Sequence, residues 1–291
     1  MNLLYLTFGN IPTIHLQTAF SAYSFLAQKE AVDTVNIITD NIGFYQHLQP
    51  HVNIIEVTPD ELTVWKGEHQ FFWRIKIKAI EKACQLYPGE SVLYLDTDTY
   101  LFGDAAKVNE QLRRGKAFMH EDEGALSAKT TKTQKNMWRQ ITGKTFGNLL
   151  MQPTDHMWNA GVVGTPNTQN GADCRLALAI CDEMCRQGVT RYFIEQYSLS
   201  IALENIYGLV EAKTSIAHYW STKEIWTGRI HDFFIEAYFA GWSCETILNK
   251  MQNFDTSALP IYQKVKTTNV RLKDWVDKTF GNRNLEYLPK K

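Results

Sequence analysis

Short apolar runs of strand length alternate with helix-length segments through the N-terminal third of the chain, and that alternation leaves few folds open. "LLYLTF" (Leu3 to Phe8), "TVNIITD" (Thr34 to Asp40), "VNIIEV" (Val52 to Val57) and "SVLYLDTD" (Ser91 to Asp98) have strand character. "TAFSAYSFLAQ" (Thr18 to Gln28) and "FWRIKIKAIEKACQLYP" (Phe72 to Pro88) carry apolar residues at helical spacing, and Tyr87-Pro88-Gly89 stops the second. Strands joined through helices pair in parallel, which predicts an α/β protein whose mainly parallel sheet is covered by helices on both faces.

Further along, "KTTKTQKNMWRQITGKTFGN" (Lys129 to Asn148) is polar and basic and partly helical in character. "WNAGVVGTP" (Trp158 to Pro166) is a glycine-framed strand, and "GADCRLALAICDEMCRQG" (Gly171 to Gly188) a helix with a glycine stop. From Trp220 onward the chain is aromatic, charged and expected to be helical. Neither a repeat nor an interdomain linker interrupts the 291 residues, which predicts one domain over 1–291 with a helical extension from 221 to 291.

Charge and composition exclude some functions. A formal net charge of -1 lacks the clustered basic surplus that phosphate-backbone binding requires, so nucleic acid is not an expected partner. No apolar run approaches the roughly 18 residues that span a bilayer, and "MNLLYLTFGN" enters a strand without a basic leader. Five cysteines are an odd number in a chain too long to need staples, which suits a reducing compartment and predicts a cytoplasmic protein.

The apolar strand in "VLYLDTDTYLFGD" (Val92 to Asp104) ends on two carboxylates one residue apart. Alternation along a strand points Asp96 and Asp98 the same way and Thr97 the other, at the carboxyl edge of the sheet where open α/β proteins hold ligands. Two converging carboxylates call for a hard divalent cation, Mg²⁺ or Mn²⁺; the plainer alternative is a surface turn in which each Asp caps a backbone amide.

This stretch resembles two families. "LDTDTYL" fits the haloacid-dehalogenase-type phosphatases, which would make Asp96 a nucleophile. It also fits the DxD motif of GT-A nucleotide-sugar glycosyltransferases. The phosphatase pattern places its motif on the first strand and needs a later glycine-framed acidic pair, whereas Asp274 and Asp277 in "KDWVDK" lack that context.

The second resemblance runs further. "WRIKIKAI", with Arg74 and Lys78 four apart on one helix face, is similar to the basic helix before the DxD strand in glycosyltransferase family 8. "WNAGVVG" resembles that family's FNAG segment and "IEQYSLSIAL" its acidic-Gln segment. "IAHYWSTK" resembles the late segment that completes the metal site.

The resemblance implies a GT-A (Rossmann-like) fold with a nucleotide-binding half over 1–104 and a donor-sugar and acceptor half over 105–220. It implies Mn²⁺ or Mg²⁺ on Asp98 and His218, with Asp96 on the metal or on the ribose. Thr7, Phe8, Gly9 and Asp40 would meet the base, and Arg74, Lys78 and Thr97 the nucleotide. Asn159, Ala160 and Gly161 would line the donor-sugar pocket, and Lys223 would bind the pyrophosphate. Glu195 and Gln196 would be catalytic: Glu195 would stabilise an oxocarbenium-like centre in a retaining enzyme or deprotonate the acceptor in an inverting one. The donor implied is a UDP-sugar. The acceptor is a glycan or a lipid-linked molecule met in peripheral contact with a membrane. A relative that binds the donor without turnover carries the same motifs.

Other motifs are weaker. "TGKT" (Thr142 to Thr145) imitates a P-loop, but the earlier glycine that cradle needs falls at Trp138. Cys174, Cys181 and Cys185 have no histidine at metal-binding spacing. "HEDEG" (His120 to Gly124) is acidic enough to draw a cation or acceptor hydroxyls, although such runs are commonly solvated loops.

Overall fold

The computed structural model describes residues 1–49, 51–264 and 267–280. The final part of the expected helical extension, 281–291, lies outside them.

The strands are β1 (Asn2–Thr7), β2 (Thr34–Thr39), β3 (Asn53–Glu56), β4 (Val92–Leu95), β5 (Thr99–Leu101), β6 (Ala117–Met119) and β7 (Asp122–Ala125). They continue with β8 (Thr145–Phe146), β9 (Leu149–Leu150), β10 (His156–Trp158), β11 (Val162–Thr165), β12 (Leu209–Glu211) and β13 (Ile216–His218). The helices are α1 (Pro12–Leu26), α2 (Pro59–Trp65), α3 (Arg74–Leu86), α4 (Ala105–Arg113) and α5 (Lys132–Ile141). After them come α6 (Ala172–Arg186), α7 (Ile194–Tyr207), α8 (Lys223–Phe239), α9 (Cys244–Gln252) and α10 (Thr267–Phe280).

Seven strands form one sheet in the order β12-β6-β11-β4-β1-β2-β3. β11 runs antiparallel to β4 and β6, and the other pairings are parallel. The result is the mixed, mainly parallel sheet flanked by helices that the sequence predicts. Period-two alternation sorts the strand side chains to two cores. Leu4, Ile38, Tyr94 and Val163 pack with α2, α3, α6 and α7, while Leu3, Tyr5, Ile37, Leu95 and Val162 pack with α1, α4, α8 and α9. Strands from 1–104 and from 105–220 thus share one sheet, and the chain after Trp220 lays α8 and α9 on the second core.

Three local details differ from expectation. α1 begins at Pro12, well before Thr18, because proline at the first helical position has its φ preset and needs no amide partner. The 129–148 stretch forms α5, capped by the Thr131 side chain, and then a β8–β9 hairpin that turns at Gly147 and Asn148, both at positive φ. β4 stops at Leu95, so Asp96-Thr97-Asp98 is a turn between β4 and β5 and not the end of a strand. The turn is closed by the Thr99 hydroxyl donating to Asp96 O at 2.8 Å and by Asp96 N donating to Gly161 O at 2.8 Å. The two carboxylates therefore converge through turn geometry instead of strand alternation.

No helix among the described residues is long and apolar enough to cross a membrane.

Candidate metal and nucleotide site

The β4–β5 turn sits at the carboxyl end of β4, where β11 and β13 also deliver residues. β13 pairs antiparallel with β5 and sets His218 opposite Thr99. One ligand atom from each of Asp96, Asp98 and His218 lies within 4.8 Å of the others. His218 Nε2 is 3.7 Å from Asp98 Oδ1 and 3.9 Å from Asp96 Oδ2. On its far side, His218 Nδ1 pairs with Asn159 Oδ1 at 2.9 Å, and the same oxygen accepts from Gly161 N at 3.0 Å. The β10–β11 turn that carries Asn159, Ala160 and Gly161 thereby fixes the orientation of the imidazole.

Two adjoining pockets open here. The larger, about 460 Å³, is lined by Thr7, Phe8, Ile14, Phe72, Thr97 and Lys223 among others. The smaller, about 220 Å³, takes in Asn159, Ala160, Gly161, Glu195 and Gln196. Lys76, Asp96, Trp73 and His218 border both. The structure thus brings together residues from β1, α3, the β4–β5 turn, the β10–β11 turn, α7, β13 and α8.

Of the remaining expected residues, Thr7 lines the larger pocket, whereas Gly9 and Asp40 line neither. The Thr7 hydroxyl is engaged by Tyr45 Oη at 2.9 Å, so Thr7 contributes wall more than a free polar group. Gly9 takes a positive φ of 82°, and its N–H donates to Asp40 Oδ1 at 2.9 Å, so Asp40 holds the loop behind the pocket instead of lining it.

Arg74 and Lys78 stand away from both pockets. Arg74 Nε and Nη2 grip the Asp182 carboxylate at 2.6 and 2.9 Å and Nη1 donates to Trp65 O at 2.8 Å, tying α3 to α6. Lys78 pairs with Glu81. Neither lines either pocket.

The basic residue that α3 turns to the site is Lys76, two positions from each and hence on the opposite side of the helix. Its buried Nζ lies 3.1 Å from Asp96 Oδ1 and 3.4 Å from Glu195 Oε1, and it donates to Ala160 O at 3.0 Å. Burial alone would favour the neutral amine, but Asp96 and Glu195 outweigh it and hold the Lys76 pKa above its ordinary value. A lysine inside the apolar stripe Ile75, Ala79, Ile80 and Ala83 is the sequence signal that would have found it, because a buried ammonium demands a partner.

Tyr94 Oη donates to Asp96 Oδ1 at 2.9 Å. Burial would raise the Asp98 carboxyl, but the His218 imidazole and Lys223 Nζ, the latter 3.0 Å from Oδ2, carry it well below the carboxylate range. Glu195 stands apart. Burial, with Asp96 adding to it, lifts its carboxyl above the usual range despite Lys76, and its Oε1 makes no hydrogen bond. His120 of "HEDEG" is no solvated residue: it is buried with its ring 5.2 Å from that of His218. Burial and then the neighbouring imidazole push its pKa down to about 4, so it backs His218 as a neutral ring.

No family model matches the chain, and no curated protein matches it. Among solved structures, the galactosyltransferase LgtC in complex with donor and acceptor sugar analogs is 14% identical, with a TM-score of 0.43 over 73% of this chain and 73% of that one. Mouse xyloside xylosyltransferase 1, in apo form, is 13% identical, with a TM-score of 0.47 over 82% of this chain and 94% of its own. The bifunctional IspDF from Campylobacter jejuni is 16% identical, with a TM-score of 0.38 over 73% of this chain and 49% of its own. Likenesses this distant leave the function to the geometry of the site.

Proposed function

We propose that this chain is a metal-dependent glycosyltransferase of GT-A type, similar to family 8, which moves a sugar from a nucleoside diphosphate donor, UDP by that resemblance, to a glycan or lipid-linked acceptor. The observation that carries the reading is the convergence of Asp96, Asp98 and His218 on one point between two adjoining pockets.

Two carboxylates and an imidazole are hard and intermediate donors that suit Mn²⁺ or Mg²⁺, and Lys76 and Lys223 partly compensate the same carboxylates. A bound divalent ion would act as a Lewis acid toward the departing diphosphate. The larger pocket, with Phe8, Ile14, Phe72 and Trp73, suits a nucleobase and ribose, and Lys223 suits the diphosphate. The smaller pocket suits the donor sugar, held by the Asn159 and Gln196 amides. In the transfer, the bond from the anomeric carbon to the phosphate oxygen breaks and a bond to an acceptor hydroxyl oxygen forms. Glu195, kept from full pairing, would stabilise positive charge at that carbon in a retaining course or take the acceptor proton in an inverting one.

The reading extends to a cytoplasmic enzyme in peripheral contact with the inner membrane face. Exposed Tyr238 and Phe239 of α8 and Leu272, Trp275 and Phe280 of α10 support that contact.

Incubation with a panel of nucleotide sugars tests the proposal: at least one is hydrolysed, and a chelator stops the reaction. Turnover of none, with UDP and metal still bound, leaves a binding protein. Release of phosphate from phosphoesters with a phosphoaspartate mimic trapped at Asp96 would establish the phosphatase instead.

A further inference from the structure

A cavity of about 460 Å³ lies apart from the site described above, between the β8–β9 hairpin, the start of β10 and the C-terminal half of α7, and it shares no lining residue with either of the two pockets. Its volume falls in the range of sites that enclose a small organic molecule. α7 turns Ser200, Ile201, Glu204 and Asn205 to it, the spacing of one helix face, whereas Glu195 and Gln196 at the start of the same helix line the smaller pocket.

The cavity has two unlike sides. Leu149 and Leu150 of β9 and Ile201 of α7 make an apolar side, on which Leu150 is 52% exposed. Asp155 and Glu204 bring two carboxylates, and among the described residues no lysine or arginine lines the cavity. Its one imidazole, His156, is paired through Nδ1 with Asp122 Oδ2 at 2.8 Å. Each carboxylate is anchored by one oxygen. Asp155 Oδ2 accepts from Gln152 N at 2.6 Å and Glu204 Oε2 from Leu209 N at 2.9 Å, which leaves Asp155 Oδ1 and Glu204 Oε1 without a hydrogen bond among the described residues. Burial lifts the Asp155 carboxyl above its ordinary value, and the Gln152 amide only partly offsets it. A carboxylate in that condition gains from a cation that brings its own N–H donors.

The chemistry of the two sides narrows the ligand. A hard metal ion needs several converging oxygens, and the one group of three ligating side chains among the described residues is Asp96, Asp98 and His218. An anion would meet two like charges. A neutral polyol would satisfy the Gln152 and Asn205 amides and leave both carboxylates without a counter-charge. An ammonium on a short hydrocarbon body matches the acidic side and the apolar side together.

We infer that this cavity is a second binding site, for an amphipathic amine whose ammonium is held by the Asp155 and Glu204 carboxylates and whose hydrocarbon part covers Leu149, Leu150 and Ile201. The Ser200 hydroxyl, on the cavity's lining, accepts from Trp158 N at 3.0 Å and donates to Gln196 O at 2.8 Å. A ligand there rests against the strand that leads to Asn159 and the helix that carries Gln196. The inference does not depend on the transferase reading.

Calorimetry on the full chain tests it, with UDP and Mn²⁺ present to occupy the other cation site. Hexylamine, phenethylamine and spermidine are compared with hexanol, hexanoate and lactose. At least one amine is expected to bind with a Kd of about 1 mM or below, and hexanol and hexanoate at least about tenfold more weakly. Asp155→Asn combined with Glu204→Gln keeps a side-chain oxygen for each backbone amide and should weaken the amine about tenfold. Leu150→Ser should weaken hexylamine about threefold. Binding of no amine, equal binding of hexanol or hexanoate, binding of lactose alone, or amine affinity unchanged in the double variant overturns the inference. Leu150 is half exposed, so its variant reads the site even where the double variant does not fold, and unchanged hexylamine affinity in it counts equally against the site.

Discussion

Gly161 packs so closely against His218 that a β-carbon built on it would lie 2.1 Å from Nδ1 and Cε1 of the imidazole. Its φ is not positive, so the glycine is demanded by space and not by backbone conformation. Gly161→Ala must push the imidazole off its position beside Asp96 and Asp98. Mn²⁺ affinity is expected to fall about 10- to 100-fold by calorimetry, the usual size for loss of a ligand's supporting contact. Unchanged affinity would show that His218 is not a ligand.

Lys76 is shared between Asp96 and Glu195, and removing it strands both carboxylates in a largely buried site. Lys76→Met is expected to cost about 3 kcal/mol in urea unfolding, the low end for breaking a buried ion pair. Adding Glu195→Gln should recover part of that loss. Independent, additive effects would show that the two groups do not interact.

Arg74→Ala removes a clamp between α3 and α6 and nothing that faces the pockets. A loss of about 1 kcal/mol is expected, since Asp182 is half exposed, with the Kd for UDP in Mn²⁺ unchanged. A weakened nucleotide complex at full stability would return Arg74 to the binding site.

The contrast between Arg74 and Lys76 marks where the sequence stops being legible. Strand and helix periods are local, so the α/β sheet followed from runs such as "TVNIITD" and "FWRIKIKAIEKACQ". Asp96, Asp98, the Asn159-Gly161 turn and His218 were each visible as motifs. Which face of α3 looks at the pockets depends on contacts such as Arg74 with Asp182 of α6, distant in sequence, so the spacing of Arg74 and Lys78 alone does not place them. The turn at Asp96-Asp98 was equally hidden, because it is closed by Gly161 from β11's side and held by β5 pairing with β13. The smaller pocket joins segments that no local pattern connects.

Asp173, in the first turn of α6, is buried with Oδ1 unpartnered, and burial raises its carboxyl above the usual range despite the Thr165 hydroxyl. A folded-state pKa above the unfolded one means the folded protein binds the proton more tightly, so stability falls as pH rises through the interval between the two. Asp173→Asn removes that penalty. Its melting temperature should exceed wild type at pH 7 to 8, and the two should converge below the carboxylate range. A mutant less stable at pH 7 would show that the ionised carboxylate is favoured there by the helix terminus.

The central claim is that Asp96, Asp98 and His218 hold a divalent ion that bridges to a nucleoside diphosphate. Thermal unfolding with UDP, in the presence and absence of Mn²⁺, tests it most directly. UDP with Mn²⁺ is expected to stabilise the protein, by roughly 2.7 kcal/mol at a concentration about a hundredfold above Kd. UDP alone should not do so, the gain with both should exceed that of Mn²⁺ alone, and Asp98→Asn should abolish it. Stabilisation by UDP without metal, or undiminished stabilisation in Asp98→Asn, would contradict the account.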